Sequence, residues 1–293
     1  MEAFLKRVQA GPVLIADGAM GSLLMERGLK PGEPPESFNL TRPEVLREVA
    51  TLYLEAGAEV IQTNTFGGSA LKLAAYGLDD RTEEINRAAV LAVREVVADR
   101  AYVSGSCGPS GRMLKPYGDA EPADVRESFR RQIGALVEAG VDVLCIETMI
   151  DLAEAQLAIE AARSVSPDIP TMATMTFDAT PRGFYTIMGN DVTSAATGLA
   201  AAGANLVGSN CGNGIEAMIE IARAFRASTS GPLLIQPNAG LPEMVAGRVV
   251  YNETPEFMAE KALELATLGV EVIGGCCGTT PEHTRALRKA LRE

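Results

Sequence analysis

The sequence predicts a single α/β domain over residues 1–293, folded as a (β/α)₈ TIM barrel. Three observations carry that expectation. Short apolar runs rich in β-branched residues recur eight times, each followed by an amphipathic stretch, which is the pattern of repeated βα units on a parallel sheet. One phrase recurs in the variants EAGAEV, EAGVDV, AAGANL and TLGVEV, a helix stop feeding the next strand. The chain of 293 residues suits a barrel of about 250 residues with a few insertions. Eight consecutive units favour a closed barrel over an open doubly wound sheet, which usually has about five or six strands.

The strands are expected at 13–16, 59–63, 102–106, 143–147, 171–176, 205–209, 233–236 and 271–274. The helices are expected at 43–56, 82–98, 123–139, 152–164, 192–202, 215–227, 255–268 and 281–291. Thr41, Thr254 and Thr280 stand before helical runs with proline in the first turn, the usual start signal. Gly57, Gly140, Gly203 and Gly269 fall where a helix ends in a left-handed residue. The first loop, 17–40, is long and rich in Gly and Pro, and is expected to cover the barrel mouth. In this architecture chemistry belongs after the C-terminal ends of the strands.

Composition narrows the function classes. No run of about 20 apolar residues is present, so no transmembrane helix is expected. The N-terminus carries charge on both sides of a short apolar run, unlike a signal peptide, and a cytoplasmic location is expected. A net charge of −12 without a basic run argues against a nucleic-acid partner. The five cysteines are an odd number in a chain without secretory features, which disfavours a disulfide framework. With His283 as the single histidine, two-His metal sites and most His-dependent triads are excluded, and any metal must be held by sulfur, carboxylate or amide.

Cys211 follows the sixth expected strand in LVGSNCGNG, and Cys276 and Cys277 follow the eighth in VIGGCCGTT. All three sit at glycine-flanked strand ends on the catalytic face, where thiols from near-neighbouring strands can converge. Gly274, Gly275 and Gly278 give the backbone freedom to turn both adjacent cysteines toward one ion. Three thiolates on Zn²⁺ leave one tetrahedral position open and carry a formal charge of −1, an arrangement suited to alkyl transfer onto a bound sulfur. A vicinal disulfide between Cys276 and Cys277 is the alternative, strained and rare in the cytosol. Cys107 and Cys145 read as small core hydrophobes. His283, in the first turn of the last helix, reads as structural.

At these residues the chain resembles the homocysteine S-methyltransferase family, and most closely the homocysteine-binding module of cobalamin-dependent methionine synthase. The motifs are DGAMGSLL at 17–24, ESFNLTRPE at 36–44, IQTNTFGG at 61–68, SGSCGPSG at 104–111, CIETMID at 145–151, GSNCGNG at 208–214, QPNAG at 236–240 and GGCCGTTPEH at 274–283. GGCC paired with an earlier GxNCG is the most specific of them.

The resemblance implies zinc on Cys211, Cys276 and Cys277, the same set that spacing selects. It implies Asn238 as a fourth ligand before substrate arrives, against the plainer role of bonding backbone at a strand end. It further implies Asp17 and Glu147 as acceptors for the ammonium of homocysteine, where a strand-end carboxylate is otherwise a cap or a solvated ion pair. Backbone amides at Gly18 and Ala19 are expected to take the substrate carboxylate, and Asn64, Thr65, Thr176 and Ser209 to back the site. Arg112 and Tyr117 lie in the loop after the third strand, where they could gate the mouth or meet a partner.

The implied reaction is zinc-dependent methylation of homocysteine to methionine, with homocysteine activated as a zinc-bound thiolate. The first reading of the methyl donor is methylcobalamin carried by a corrinoid-binding domain or protein, since the resemblance is closest to cobalamin-type enzymes. The alternative is a stand-alone enzyme using S-methylmethionine, S-adenosylmethionine or betaine. From other classes, the fold would also suit a zinc hydrolase, disfavoured by the sulfur-rich ligand set, or a non-catalytic homocysteine or zinc sensor.

Overall fold

The computed structural model of the chain describes residues 2–245 and 248–292. Eight parallel strands form the barrel: β1 (Leu14–Ile15), β2 (Val60–Gln62), β3 (Tyr102–Cys107), β4 (Val143–Met149), β5 (Thr171–Met175), β6 (Leu206–Asn210), β7 (Leu233–Gln236) and β8 (Val272–Ile273). They pair in the order β1-β8-β7-β6-β5-β4-β3-β2. The seam between β1 and β2 is closed by a parallel bridge from Ala16 to Val60 and by backbone bonds from Glu59 to Ile15 (2.7 Å) and from Asp17 to Val60 (3.0 Å). The expected barrel is therefore present.

Eight helices follow the strands in turn: α1 (Pro43–Ala56), α2 (Thr82–Val97), α3 (Pro122–Ala139), α4 (Leu152–Val165), α5 (Val192–Ala202), α6 (Ile215–Ser228), α7 (Pro255–Thr267) and α8 (Pro281–Arg292). The four glycine stops are all left-handed, with φ between 76° at Gly269 and 109° at Gly203. Thr254 caps α7 by accepting from Phe257 N at 3.2 Å. Thr41 does not cap α1: it ends a short helix, Phe38–Thr41, and its hydroxyl bonds Ser37 O, so Arg42 takes the cap position without a side-chain bond.

The barrel interior follows from strand parity. Leu14, Val60, Tyr102, Val143, Met172, Leu206, Leu234 and Val272, one from each strand, belong to a single buried cluster with Cys145. A helix over Phe4–Ala10, which lacks a distinctive sequence signal, closes the lower end. Its Phe4 packs edge-on against Tyr102 with centroids 5.2 Å apart. Glu59 ties this end together through ion pairs to Arg7, Arg288 and Arg292 and a bond from Ile15 N. Two residues along four of the strands the same inward parity turns polar, giving Gln62, Ser104, Thr174 and Gln236, with Ser106, Glu147 and Asn210 at the tops of β3, β4 and β6. The barrel is thus apolar below and polar above.

The first loop is better built than its composition suggests. It holds a helix at Gly21–Glu26, a 3-10 turn at Pro35–Ser37 and the Phe38–Thr41 helix. Leu23, Leu24, Leu29 and Phe38 are buried in the layer between barrel and helices. Each such side chain contributes about 1.5–3 kcal/mol on burial, so the segment is anchored on the core. No described helix is long and apolar enough to cross a membrane.

Candidate active site

The three cysteines expected to bind metal converge at the upper end of the barrel, their sulfurs all within 4.8 Å of one another. Cys211 and Cys277 approach to 3.7 Å between sulfurs. Two sulfurs at Zn–S distances of about 2.3 Å subtend an edge of about 3.8 Å in a tetrahedron, so the donor spacing fits a thiolate-held zinc. A further donor lies on the segment bonded to both cysteine loops. Asn238 is 3% exposed and its Oδ1 has no hydrogen-bond partner among the described residues, which is a costly state for a buried oxygen.

The backbone places these sulfurs by strained and crowded turns. Cys211 itself is left-handed (φ 61°), unusual for a side chain with a Cβ, and its N–H is held by Gln236 O at 3.1 Å. Cys276 N bonds Pro237 O at 2.8 Å and Cys277 O receives Ala239 N at 3.0 Å, while Asn238 N bonds Asn213 O at 2.9 Å, so the segment after β7 ties the two cysteine loops together. Of the three glycines around Cys276 and Cys277, only Gly278 uses a positive φ (79°). Gly274 and Gly275 are needed for space, since a Cβ there would lie 2.7 Å from Ala16 Cβ and 2.3 Å from Thr279 Oγ1.

Hydrogen bonds from Cys211 and Cys276, with Tyr251 adding another, hold the Cys277 thiol below its ordinary pKa, while Cys211 and Cys277 push Cys276 up. Cys107 and Cys145 are fully buried, and burial raises both thiols, as suits core residues.

Two carboxyls complete the interior. Asp17 is 1% exposed; its Oδ2 accepts from Gln62 N at 2.8 Å and its Oδ1 has no partner among the described residues. Burial, with the Glu147 charge adding to it, pushes Asp17 up to about 8 against the Gln62 bond. Burial likewise pushes Glu147 up to about 7, against a hydrogen bond from Ser106 Oγ. Neither has an arginine or lysine partner among the described residues. These are buried acids poised to gain from a cation.

The remaining expected residues divide. Asn64 bonds Pro35 O and Asn39 Oδ1, stitching the first loop to the second. Thr65 pairs with Thr63 Oγ1 and Ser106 O. Thr176 Oγ1 donates to Asn210 O at 2.9 Å, bracing the strand end that carries Cys211. Ser209, expected to back the site, has outward parity and its hydroxyl bonds Met175 O; the neighbouring Asn210 occupies the inward place. Ala19 is also corrected: its single N–H donates to Thr279 Oγ1 at 3.1 Å and its carbonyl accepts from Tyr53, leaving Gly18 as the less committed amide of the pair.

His283 sits in a helix start, where Nδ1 accepts from Thr280 N at 3.1 Å and Nε2 faces Glu253 O at 3.0 Å. A backbone N–H can only donate, so the ring proton is on Nε2, and burial keeps the imidazole below its ordinary pKa. Arg112 pairs with Asp119 at 2.6 Å, whereas Tyr117 stands 77% exposed in the same loop. Thr279, Tyr251 and Asn210 were not singled out from sequence; only the position of Asn210 beside Cys211, at inward parity, could have signalled it.

The homocysteine S-methyltransferase family model matches residues 14–291. The chain belongs to that family. It is 32% identical to the methionine synthase of Mycobacterium tuberculosis and 31% identical to that of Mycobacterium leprae, in each case over 95% of this chain. It spans 24% of the length of those relatives. Among solved structures it resembles the homocysteine methyltransferase MmuM from Escherichia coli in its metallated form, with a TM-score of 0.81 and 23% identity, covering 98% of this chain and 99% of that one. The oxidised form of the same protein matches with a TM-score of 0.80. Both likenesses concern the fold, which this family member shares along its whole barrel.

Proposed function

We propose that the chain is a zinc-dependent homocysteine S-methyltransferase that forms methionine, taking its methyl group from methylcobalamin on another domain or protein. The observation that carries the reading is the juxtaposition of a three-sulfur cluster with two buried carboxyls that have no cationic partner among the described residues, at the barrel's upper end. Cys211, Cys276 and Cys277 would hold the ion, with Asn238 Oδ1 as an exchangeable oxygen donor. Zinc held there would keep a substrate sulfur deprotonated near neutral pH without removing its nucleophilicity.

The chain's own residues then do the positioning. Asp17 and Glu147 receive the substrate ammonium, while Gly18 N–H is placed for the carboxylate. The sulfur–methyl bond forms as the methyl–donor bond breaks, and the thiol proton passes to solvent. Fixing the sulfur in line with the methyl carbon removes much of the entropic part of the barrier.

Support for a donor carried by a macromolecule comes from the rim of the mouth. Met25, Phe66, Tyr117, Ile187, Leu241 and Met244 are exposed large apolar side chains, all on segments between a strand and its following helix. Leu91 and Leu263 are the described exceptions on the barrel helices. Apolar exposure concentrated on one face marks a binding surface, and a bulky corrin on a partner would need one. A free sulfonium or betaine donor would not.

Zinc stoichiometry with zinc-edge X-ray absorption, with and without homocysteine, tests the central step. One zinc gaining a sulfur on addition of homocysteine is expected; no zinc, or no added sulfur, would overturn it. Turnover with S-methylmethionine alone would reassign the donor, and tight homocysteine binding without methyl transfer to any donor would make the chain a sensor.

A further inference from the structure

Asn210 ends β6 immediately before Cys211, and its side chain is completely buried. Its amide orientation is fixed by its partners. Oδ1 lies 2.7 Å from Thr148 N and 2.7 Å from Thr174 Oγ1, and because a backbone N–H can only donate, that atom is the oxygen. Nδ2 donates to Thr148 Oγ1 at 2.8 Å. The other side of the same NH₂ faces Glu147 Oε2 at 3.3 Å and Cys276 Sγ at 3.7 Å. One amide thus touches the carboxyl on β4 and a sulfur of the metal cluster.

The contact with Thr148 has a second effect. Thr148 is left-handed (φ 59°), at the irregularity where the β4–β5 register shifts between Ile146 and Met149. A β-branched residue takes that conformation only when its surroundings hold it there. Asn210 binds both the N–H and the hydroxyl of Thr148, so it fixes the backbone on the C-terminal side of Glu147 while Ser106 fixes the carboxyl from β3.

We infer that Asn210 is a positioning residue that sets the separation between the ammonium-binding carboxylate Glu147 and the metal-binding sulfur Cys276. The inference rests on the proposed function. Homocysteine must place its ammonium and its sulfur at the two ends of one short chain, and Asn210 is the side chain that spans the corresponding protein groups. An N–H aimed at a metal-bound thiolate also withdraws charge from it, leaving the ion better able to accept a further sulfur.

The test compares homocysteine with 4-mercaptobutanoate, which has the same thiol chain and carboxylate but no amino group. Zinc content and the affinity of each thiol are measured by X-ray absorption titration and calorimetry on wild type, Asn210→Ala and Thr174→Val. Wild type without zinc, or without added sulfur, would refute the proposed function itself, before any variant is considered.

With wild type behaving as proposed, Asn210→Ala is expected to keep one zinc and to bind homocysteine roughly 10–100-fold more weakly, the range for supporting groups around metal ligands. Its loss for 4-mercaptobutanoate is expected to be smaller, because that thiol does not sense Glu147. Thr174→Val removes one of the two bonds to Oδ1 and should move the ratio of affinities the same way by less, which decides the matter if Asn210→Ala does not fold. Equal losses for both thiols, unchanged affinities, or loss of zinc from Asn210→Ala would each overturn the inference.

Discussion

Asp17→Asn should make the protein more stable and its substrate affinity worse. The Asp17 carboxyl is 1% exposed, with one oxygen on Gln62 N and the other without a partner among the described residues. Burial, and then the charge of Glu147, raise it from an ordinary 3.8 to about 8. A carboxyl with a raised folded pKa favours the folded state fully below the unfolded value and loses that advantage as pH rises toward the folded one. Between about pH 4 and pH 8 the native protein keeps a proton that the unfolded chain releases, so stability falls as pH rises. At pH 7 the interval above the unfolded value is about 3 units, a cost of up to about 4 kcal/mol at 1.36 kcal/mol per unit. At pH 4 the unfolded chain is still partly protonated, and the cost is under about 1 kcal/mol. Asparagine keeps an acceptor for Gln62 N and carries no charge. At equal zinc content, Asp17→Asn is expected to gain stability at pH 7 by up to about 4 kcal/mol and by under about 1 kcal/mol at pH 4, read from urea unfolding midpoints. Glu147 titrates in both proteins, so its own contribution largely cancels. On the proposed reading, homocysteine affinity should fall by roughly 10–100-fold, the worth of about 1.5–3 kcal/mol for a hydrogen bond to a charged group. A variant less stable than wild type at pH 7, or one whose stability difference is the same at both pH values, would refute the reasoning.

Serine in place of Cys211, Cys276 or Cys277 should each leave well under one zinc per chain by atomic absorption, and full occupancy in any one would remove it from the ligand set. Gly208→Ala should destabilise by about 3 kcal/mol or more, because overpacking without room to relax costs at least about 1–3 and the new Cβ would lie 1.8 Å from Leu234 O; a thermal or urea midpoint near wild type would mean the β6–β7 register is wrong. Leu241→Ser with Met244→Ser should leave homocysteine binding intact while lowering kcat/KM with a protein-borne corrinoid at least about tenfold, the kinetic equivalent of about 1.4 kcal/mol of docking energy; an unchanged value would move the docking face elsewhere.

The barrel was legible because every unit announces itself by an apolar, β-branched run, and the second, fourth, sixth and eighth strands also by the glycine that stops the helix before them. All eight predicted helices are found within a residue or so of their expected ends. The Phe4–Ala10 helix was missed because it is only 7 residues long and its fixing contacts, Tyr102 and Glu59, are remote in sequence. The first loop was read from its Gly and Pro content, while its order comes from Leu24, Phe38 and the Glu36–Gly67 bond, which are tertiary. In the site, the sulfurs were legible because three cysteines at strand ends is a rare coincidence. Ser209 was named from the resemblance and Asn210 was not; with side chains alternating faces along the strand, Asn210 takes the inward place and Ser209 the outward one.

The polar upper layer and the apolar lower layer of one barrel serve a single end. Val60, Tyr102, Val143, Met172, Leu206 and Leu234, plugged by Phe4, form an apolar floor beneath two buried carboxyls without a cationic partner among the described residues. Those carboxyls sit largely or partly protonated near neutral pH, where a simple thiol or a water molecule has nothing to offer them. An amino-acid thiol brings an ammonium, which lowers their pKa values and converts an unfavourable burial into a charge-assisted contact. Binding is then coupled to proton release at Asp17 and Glu147 as well as at the thiol. On the proposed function, selection for homocysteine over smaller or uncharged thiols would follow from that charge linkage, acting before any methyl donor reaches the mouth.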